Sequence, residues 1–202
     1  MNNLKSLIFK DNTYYTIDKI SGKKRFWDPT RSKVCAALKK KINIFPIEED
    51  SKILYLGVAE GYTISYISDI ILEGIAIGVD ISAHSMQKFY LISKKRGNLV
   101  PILEDANKPE KYRDLVDFKV DIIIQDVAQK NQVEILKKNS DLFLKEKGYV
   151  MLSLKTTAIS QGKTSNIIEK QLEEFRKYFK IIDYKRLDPF EKKHIFVIGQ
   201  KI

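Results

Sequence analysis

A single cysteine and two histidines in 202 residues exclude two common chemistries at the outset. Cys35 has no partner for an intramolecular disulfide, and with only His84 and His194 beside it a Cys/His zinc cluster cannot be assembled. Cys35 stands in the apolar helical pattern VCAAL and is expected to be packed. Long apolar runs are missing too. None approaches the ~18–20 residues that a membrane-spanning helix needs, and a charged fraction of 31% argues against membrane insertion. The opening MNNLKSLIFKDN has neither a long apolar segment nor a small-residue cleavage site, so no secretory signal is expected and a cytosolic or nuclear address follows by default. Repeats, low-complexity linkers and Pro/Gly hinges are absent.

Acids are in short supply: 26 against 36 basic residues, a formal charge of +10. The imbalance is local. Between Lys19 and Lys41 there are nine basic residues and one acid, Asp28, so that window alone carries +8. A concentrated basic surface attracts polyanions, of which nucleic acid is the usual one. A lysine-rich proteome would produce the same total charge without a polyanion partner.

With 44% hydrophobic residues the chain can build a core, and its length suits one ordinary domain with a small addition. SLIFKDNTYYTIDK (6–19) is β-prone and is followed by the Ser21-Gly22 turn signal. Asp28-Pro29 reads as a helix N-cap with proline at the first helical position, and Val34, Leu38 and Ile42 form one stripe of the helix that follows, which is expected to end near 43–46. Residues 1–45 are therefore expected to form a small β-rich N-terminal domain with a connecting helix, and 46–202 a Rossmann-like domain. In the latter, KILYLGV, GIAIGVD, NLVPIL, VDIIIQD and GYVMLSLK read as five strands separated by helical patterns. Those patterns include Ile64, Ile67 and Ile71, then Met86, Phe89 and Tyr90, then Val133, Leu136 and Phe143. Ile168, Leu172, Phe175 and Phe179 mark a further helix, and IIDYKRL and HIFVIGQ close the chain as strands. Strands alternating with helices mean an α/β, mainly parallel sheet covered on both faces. The last two strands stand too close for a crossover helix, so the final one is expected to be antiparallel.

In LYLGVAEGYT (54–63) a strand runs into a Gly57-x-Ala59-x-Gly61 turn without the middle glycine of the dinucleotide pattern. Ala59 leaves less room for a pyrophosphate against the backbone and suits a smaller ligand end. Ligands of open parallel sheets bind at the carboxyl ends of the strands. Glu60, Asp80, Asp105 and Asp126 follow four successive strands there. An acid after the second strand can accept from ribose hydroxyls, and one after the third from an adenine amino group. A row of acids disfavours an anionic ligand and favours a cationic one. Ribose, adenine and a sulfonium amino acid together describe S-adenosylmethionine. Any one of these acids could equally be only solvated.

Asp126 ends the fourth strand and Lys155 the fifth. A right-handed crossover makes these strands neighbours, which puts a carboxylate and an amine on one pocket. A carboxylate keeps a lysine charged, so Asp126 is expected to orient Lys155 rather than to turn it into a base. An ordinary ion pair at the sheet edge explains the same two residues. His194 opens the final strand, and an antiparallel pairing brings it to the edge where Lys155 lies. There it could orient a substrate hydroxyl or assist proton transfer, or serve structure alone. His84 is expected in the loop after Asp80, on the surface near the cofactor.

RFWDPTRSK, ILYLGVAEGYT, VDIS, KKRGNLVPILEDANKPEKYR, VDIIIQDVAQ and LDPFEKKHIFVIG together resemble fibrillarin, from about Tyr15 to Ile202. EDAN with KYR, DVAQ and the W-x-P-x-R-S-K segment are far more specific than a generic methyltransferase turn. The resemblance implies an S-adenosyl-L-methionine-dependent RNA ribose 2′-O-methyltransferase of box C/D ribonucleoproteins, acting on rRNA and tRNA. It further implies a guide RNA that selects the nucleotide, a Nop-family scaffold protein and a kink-turn-binding protein. The chain shows no Gly/Arg-rich tail and resembles the archaeal type, which implies the cytoplasm.

The catalytic set implied by the resemblance falls on Lys33, Asp126, Lys155 and His194, and it alone brings Lys33 to the site. Beside the turn residues Gly57, Ala59 and Gly61, read as cofactor-binding from their pattern, the resemblance implies Tyr62 and Thr63, Asp80 and Ile81, Asp105 and Ala106, and Asp126 with Val127, Ala128 and Gln129. Tyr62 stands where the family usually has threonine, Asp80 where it has glutamate, and His84 where arginine is common. Lys155 is expected to take the 2′-hydroxyl proton and Asp126 to hold it in place. Lys33 would position the ribose or its phosphate, and His194 would support the hydroxyl. Alignment supplies much of the rate, and no metal is expected. Two other readings remain: a methyltransferase for another acceptor, which the +8 window argues against, and a non-catalytic RNA-binding subunit, which the retained catalytic set argues against.

Overall fold

The computed structural model describes residues 4–155 and 164–202, the side chains of 164–167 excepted. Strands β1 (Leu7–Lys10), β2 (Thr13–Ile17) and β3 (Lys24–Phe26) form an antiparallel sheet in that order. The β1–β2 hairpin turns at Asp11 and Asn12, both at positive φ, as a tight two-residue turn requires. Along β2, Tyr14 and Thr16 point inward and are buried.

Helix α1 (Lys33–Lys39) begins later than the Asp-Pro signal suggests. Asp28 does not cap it: Asp28 Oδ1 accepts from the N–H and hydroxyl of Thr30, both at 2.8 Å, and folds a separate turn. Such local side-chain bonds compete with helix initiation. The cap is Ser32, whose Oγ accepts from the Cys35 N–H at 3.3 Å. Lys41 at φ 56° turns the chain out of the helix, so Ile42 is buried beyond it rather than on it.

The main sheet holds seven strands: β4 (Lys52–Leu56), β5 (Ile75–Asp80), β6 (Leu99–Leu103), β7 (Val120–Gln125), β8 (Leu144–Lys155), β9 (Phe179–Arg186) and β10 (His194–Lys201). Their order is β6-β5-β4-β7-β8-β10-β9. The first five are parallel and β10 runs antiparallel to both β8 and β9, as the short final connection requires. Pro101 is accommodated because β6 is an edge strand. Helices α2 (Tyr62–Ile70), α3 (Ala83–Arg96), α4 (Gln132–Phe143) and α5 (Thr164–Arg176) cover the sheet. Two of the expected positions move. Phe179 is the first residue of β9, not part of α5; it packs on Phe175 at 4.9 Å between ring centroids, which is why helical spacing runs on into the strand. Tyr90 is exposed, and the buried side of α3 is Met86, Phe89, Ser93 and Arg96.

One apolar core lies on each sheet face. Trp27, Leu38, Ile67, Phe89 and Phe196 belong to the first, and Tyr112, Leu136, Phe143, Phe175 and Val197 to the second. Alternate β10 residues, Phe196 and Val197, serve opposite cores, as the two-residue strand period dictates. Trp27 stacks on Tyr66 of α2 at 5.3 Å and 1°. A second tie is polar. Buried Asp69 of α2 accepts from Thr16 at 2.7 Å, from the Lys19 N–H at 3.1 Å, from Arg25 at 2.7 Å and from Arg96 at 2.5 Å. The carboxylate thus joins the three-stranded sheet to α2 and α3.

Cys35 is fully buried and its thiol donates to the Trp27 carbonyl at 3.0 Å. Burial pushes the thiol up to about 12, so the reactive thiolate is scarce at neutral pH. Titration with Ellman's reagent is expected to find no thiol in the native protein and one after denaturation; rapid native labelling would contradict this packing. No helix among the described residues is long and apolar enough to cross a membrane.

Candidate active site

Strand β4 sits between β5 and β7, so the sheet order reverses beside it and opens a crevice at the strand ends. The chain enters that crevice at Gly57, with φ 78°. A Cβ there would lie 2.5 Å from the Asp126 carbonyl oxygen, so both the backbone angle and the close approach demand glycine. Gly61, at φ 83°, caps α2 against the Phe89 ring. Between them Ala59 adopts φ 49°, unfavourable for a residue with a Cβ. Asp80 holds it there: Oδ2 accepts from the Ala59 N–H at 2.8 Å while Oδ1 accepts from the Ser82 N–H at 2.9 Å. The alanine turn is therefore braced by the acid of the neighbouring strand.

A cavity of about 360 Å³ opens here. Gly57, Ala59, Asp80, Ile81, Asp105, Ala106, Asp126, Val127, Ala128 and Gln129 line it, together with Val79, which sequence reasoning did not single out. Ile81 is 66% exposed, an apolar side chain left outside both cores and free to flank a flat ligand. Asp105 Oδ1 accepts from the Asn107 N–H at 2.9 Å, which fixes the loop after β6. Asp80, Asp105 and Asp126 give the cavity a negative lining. Glu60 is not part of it: it is half-exposed and paired with Lys88, whose hydrogen bond holds the Glu60 carboxyl below the usual range.

Gly61, Tyr62 and Thr63 do not line this cavity. Thr63 donates to the Ser32 hydroxyl at 3.1 Å. The Tyr62 phenol oxygen accepts from the Asp28 N–H at 3.4 Å, and the Arg31 guanidinium lies 4.0 Å from its ring centroid. Burial and the Tyr66 hydroxyl push the Tyr62 phenol well up. Both side chains face the Asp28–Lys33 segment. His84 is exposed, and it sits in the first turn of α3 rather than in a loop.

Lys33, first residue of α1, reaches Asp126 with Nζ–Oδ2 at 2.8 Å, both side chains about one-quarter exposed (24% and 26%). Sequence reasoning gave Asp126 to Lys155; the structure gives it to Lys33. Lys155 ends β8 directly opposite His194 in the antiparallel register. Among the described residues no carboxylate pairs with its amine. The His194 ring is largely buried, with Nδ1 3.0 Å from the Lys192 carbonyl oxygen and 3.4 Å from Glu191. Facing a carbonyl oxygen, Nδ1 is the donor of that contact. Gln132, buried at the start of α4, was not anticipated. Its Nε2 donates to the Val127 and Ser153 carbonyls at 2.7 and 3.0 Å, and its Oε1 accepts from the Lys155 N–H at 3.2 Å. One amide thus ties the cavity wall to the strand end that carries Lys155.

The seven-stranded sheet with its reversed last strand, and the cavity at its switch point, define a Rossmann-like methyltransferase of the S-adenosylmethionine-dependent class. The fibrillarin family model matches residues 7–202, and the chain belongs to that family. The fibrillarin-like rRNA/tRNA 2′-O-methyltransferase of Methanocaldococcus jannaschii is 42% identical over 177 residues, 87% of this chain and 76% of that protein. A structure of a fibrillarin/Nop5p complex has a chain that superposes with a TM-score of 0.92 at 37% identity, covering 98% of both chains. Aeropyrum pernix fibrillarin, solved with natively bound S-adenosyl-L-methionine, superposes with a TM-score of 0.85 at 33% identity, covering 93% of this chain and 88% of that one.

Proposed function

We propose that this chain methylates ribose 2′-hydroxyls of rRNA and tRNA from S-adenosyl-L-methionine, as the catalytic subunit of a cytoplasmic box C/D ribonucleoprotein. The observation that carries the reading is the placement of the Lys33–Asp126 pair at the wall of the crevice cavity. The cavity suits the cofactor chemically. Asp80 and Asp105 each keep acceptor capacity for hydroxyl and amino groups, Ile81 offers an apolar flank, and the carboxylates favour a cationic sulfonium over an anion. When bound, S-adenosyl-L-methionine supplies an electrophilic methyl group.

The chain's own residues do the remaining work. An amine takes a proton only in its neutral form, and a paired carboxylate would favour the ammonium. Asp126, the nearby carboxylate, is committed to Lys33. In its neutral form the Lys155 amine takes the 2′-hydroxyl proton, and His194, opposite it in the strand register, supports that hydroxyl. Lys33 keeps Asp126 oriented and lends positive charge toward the RNA strand. Gln132 fixes the backbone on which Lys155 stands. Residues 1–45 act as an accessory unit on a catalytic domain of 46–202.

Target choice belongs to guide-RNA pairing, since the basic window reads charge rather than sequence. A Nop-family scaffold positions the chain and a kink-turn-binding protein completes the particle. Label from S-adenosyl-L-methionine should enter a guide-paired RNA when both proteins are present, and should be lost when the guide or the scaffold is omitted. Bound cofactor without label, with cognate partners present, would favour the non-catalytic reading. Gly57→Ala is expected to weaken cofactor binding by at least about tenfold through the clash with the Asp126 carbonyl; unchanged affinity by calorimetry would remove the turn from the cofactor site.

A further inference from the structure

We propose that Arg31, its guanidinium over the Tyr62 ring, is a phosphate anchor for the RNA strand whose ribose is methylated; this rests on the RNA reading above. Arg31 is exposed, and its guanidinium stands 4.0 Å from the Tyr62 ring centroid. Among the described residues none accepts a hydrogen bond from it or pairs with it. Glu60, whose charge reaches Arg31, is already paired with Lys88. The donor edge of a guanidinium is thus left open in a basic neighbourhood.

The platform under it is braced. The Tyr62 oxygen accepts from the Asp28 N–H at 3.4 Å. The ring packs on Tyr66, 5.1 Å away, and Tyr66 donates to the Phe26 carbonyl at 2.8 Å and stacks on Trp27. The backbone is equally fixed. The Arg31 N–H donates to the Asp28 carbonyl at 3.2 Å, and buried Ser32 caps α1. A guanidinium held over an aromatic ring is restrained, and its planar fork of donors suits the two oxygens of a phosphodiester.

Chain proximity favours the acceptor strand: two residues further on, Lys33 meets Asp126 at the cavity wall, so Arg31 belongs to the same short segment as that pair. Tyr62, where the family pattern has threonine, is then a prop for RNA binding rather than a cofactor ligand, which agrees with its absence from the cavity lining. The guide strand offers the same phosphodiester chemistry, and the test below separates the two.

In the assembled particle, R31A is expected to raise the KM for acceptor RNA about tenfold and to flatten the salt slope by roughly one phosphate contact. Cofactor affinity should not change. R31K should restore only part of the loss, because an ammonium does not stack as a plane. Y62T should move KM in the same direction, and Y62F far less, since phenylalanine keeps the ring under Arg31 and loses only the long Asp28 contact. The double variant R31A/Y62T should lose little beyond R31A alone, since both remove one device. A neutral methylphosphonate beside the target nucleotide should penalise the wild type and add nothing to R31A.

Three results would overturn the proposal: weaker cofactor binding in Y62T with acceptor KM unchanged, full activity in R31A, or a methylphosphonate in the guide that alone erases the R31A effect. A wild-type particle without turnover would instead count against the proposed reaction. Binding of the guide–acceptor duplex, measured with and without R31A, then tests the anchor by itself.

Discussion

Lys155→Ala is expected to lower methyl transfer by about 10²–10⁴-fold, the range for losing a positioned general base, with cofactor affinity unchanged. Lys155 ends β8 opposite His194 and lies outside the cavity lining, so its removal leaves the cofactor's walls intact. Lys155→Arg separates the two roles the side chain could have. Arginine keeps the charge and cannot be deprotonated in a protein. If Lys155 takes the proton, arginine should be about as inactive as alanine; if it supplies charge alone, arginine should retain most of the rate. Single turnover at saturating cofactor, beside calorimetric cofactor binding, reads both. Loss of binding together with rate would reassign Lys155 to structure.

Asp69→Ala is expected to cost about 3–5 kcal/mol, the range for stripping one partner from a buried ion pair. The carboxylate is 0% exposed and takes hydrogen bonds from Arg25, Arg96, Thr16 and the Lys19 N–H. Its loss strands the Arg96 guanidinium, whose side chain is 5% exposed and, among the described residues, keeps only Asp18, at 3.3 Å, as a carboxylate partner. For a chain of this size the loss should lower Tm by roughly 6–20 °C. The effect is a fold effect: it loosens the three-stranded sheet from α2 and α3, and with it the segment that carries Arg31 and Lys33. Urea unfolding checks it, and a change below about 1 kcal/mol would mean that the network is worth no more than a surface pair.

Much of the sheet was legible because buried parallel strands read as short apolar runs, and VDIIIQD or GIAIGVD admit little else. The antiparallel last strand followed from connection length alone. Boundaries were harder. Asp28-Pro29 has the composition of a helix start, but the Asp28 side chain closes its own turn and Ser32 takes the cap. Phe179 continued a helical spacing because its ring packs on Phe175 across the end of the helix.

The cavity was legible as a set of strand ends, since topology alone carries Asp80, Asp105 and Asp126 to one edge. Side-chain pairing was not. Lys33 and Asp126 are 93 residues apart and meet only through the packing of α1 against the sheet, which no local pattern encodes. Residue spacing therefore gave Asp126 to the nearer strand-end lysine. Gln132 was invisible for the opposite reason: a polar residue at a helix start looks solvated until the fold buries it. Tyr62 is not among the cavity-lining residues, and its ring packs on Tyr66 with the Arg31 guanidinium over it.

Ribose 2′-O-methylation is tested most directly by a matched pair of acceptor RNAs. Both pair with the same guide in the assembled particle, and one carries a single 2′-deoxy sugar at the target. Label from S-adenosyl-L-methionine on the ribose RNA and none on its deoxy twin is the predicted result. Equal label on both would place the methyl somewhere other than the target 2′-oxygen and contradict guide-directed ribose methylation.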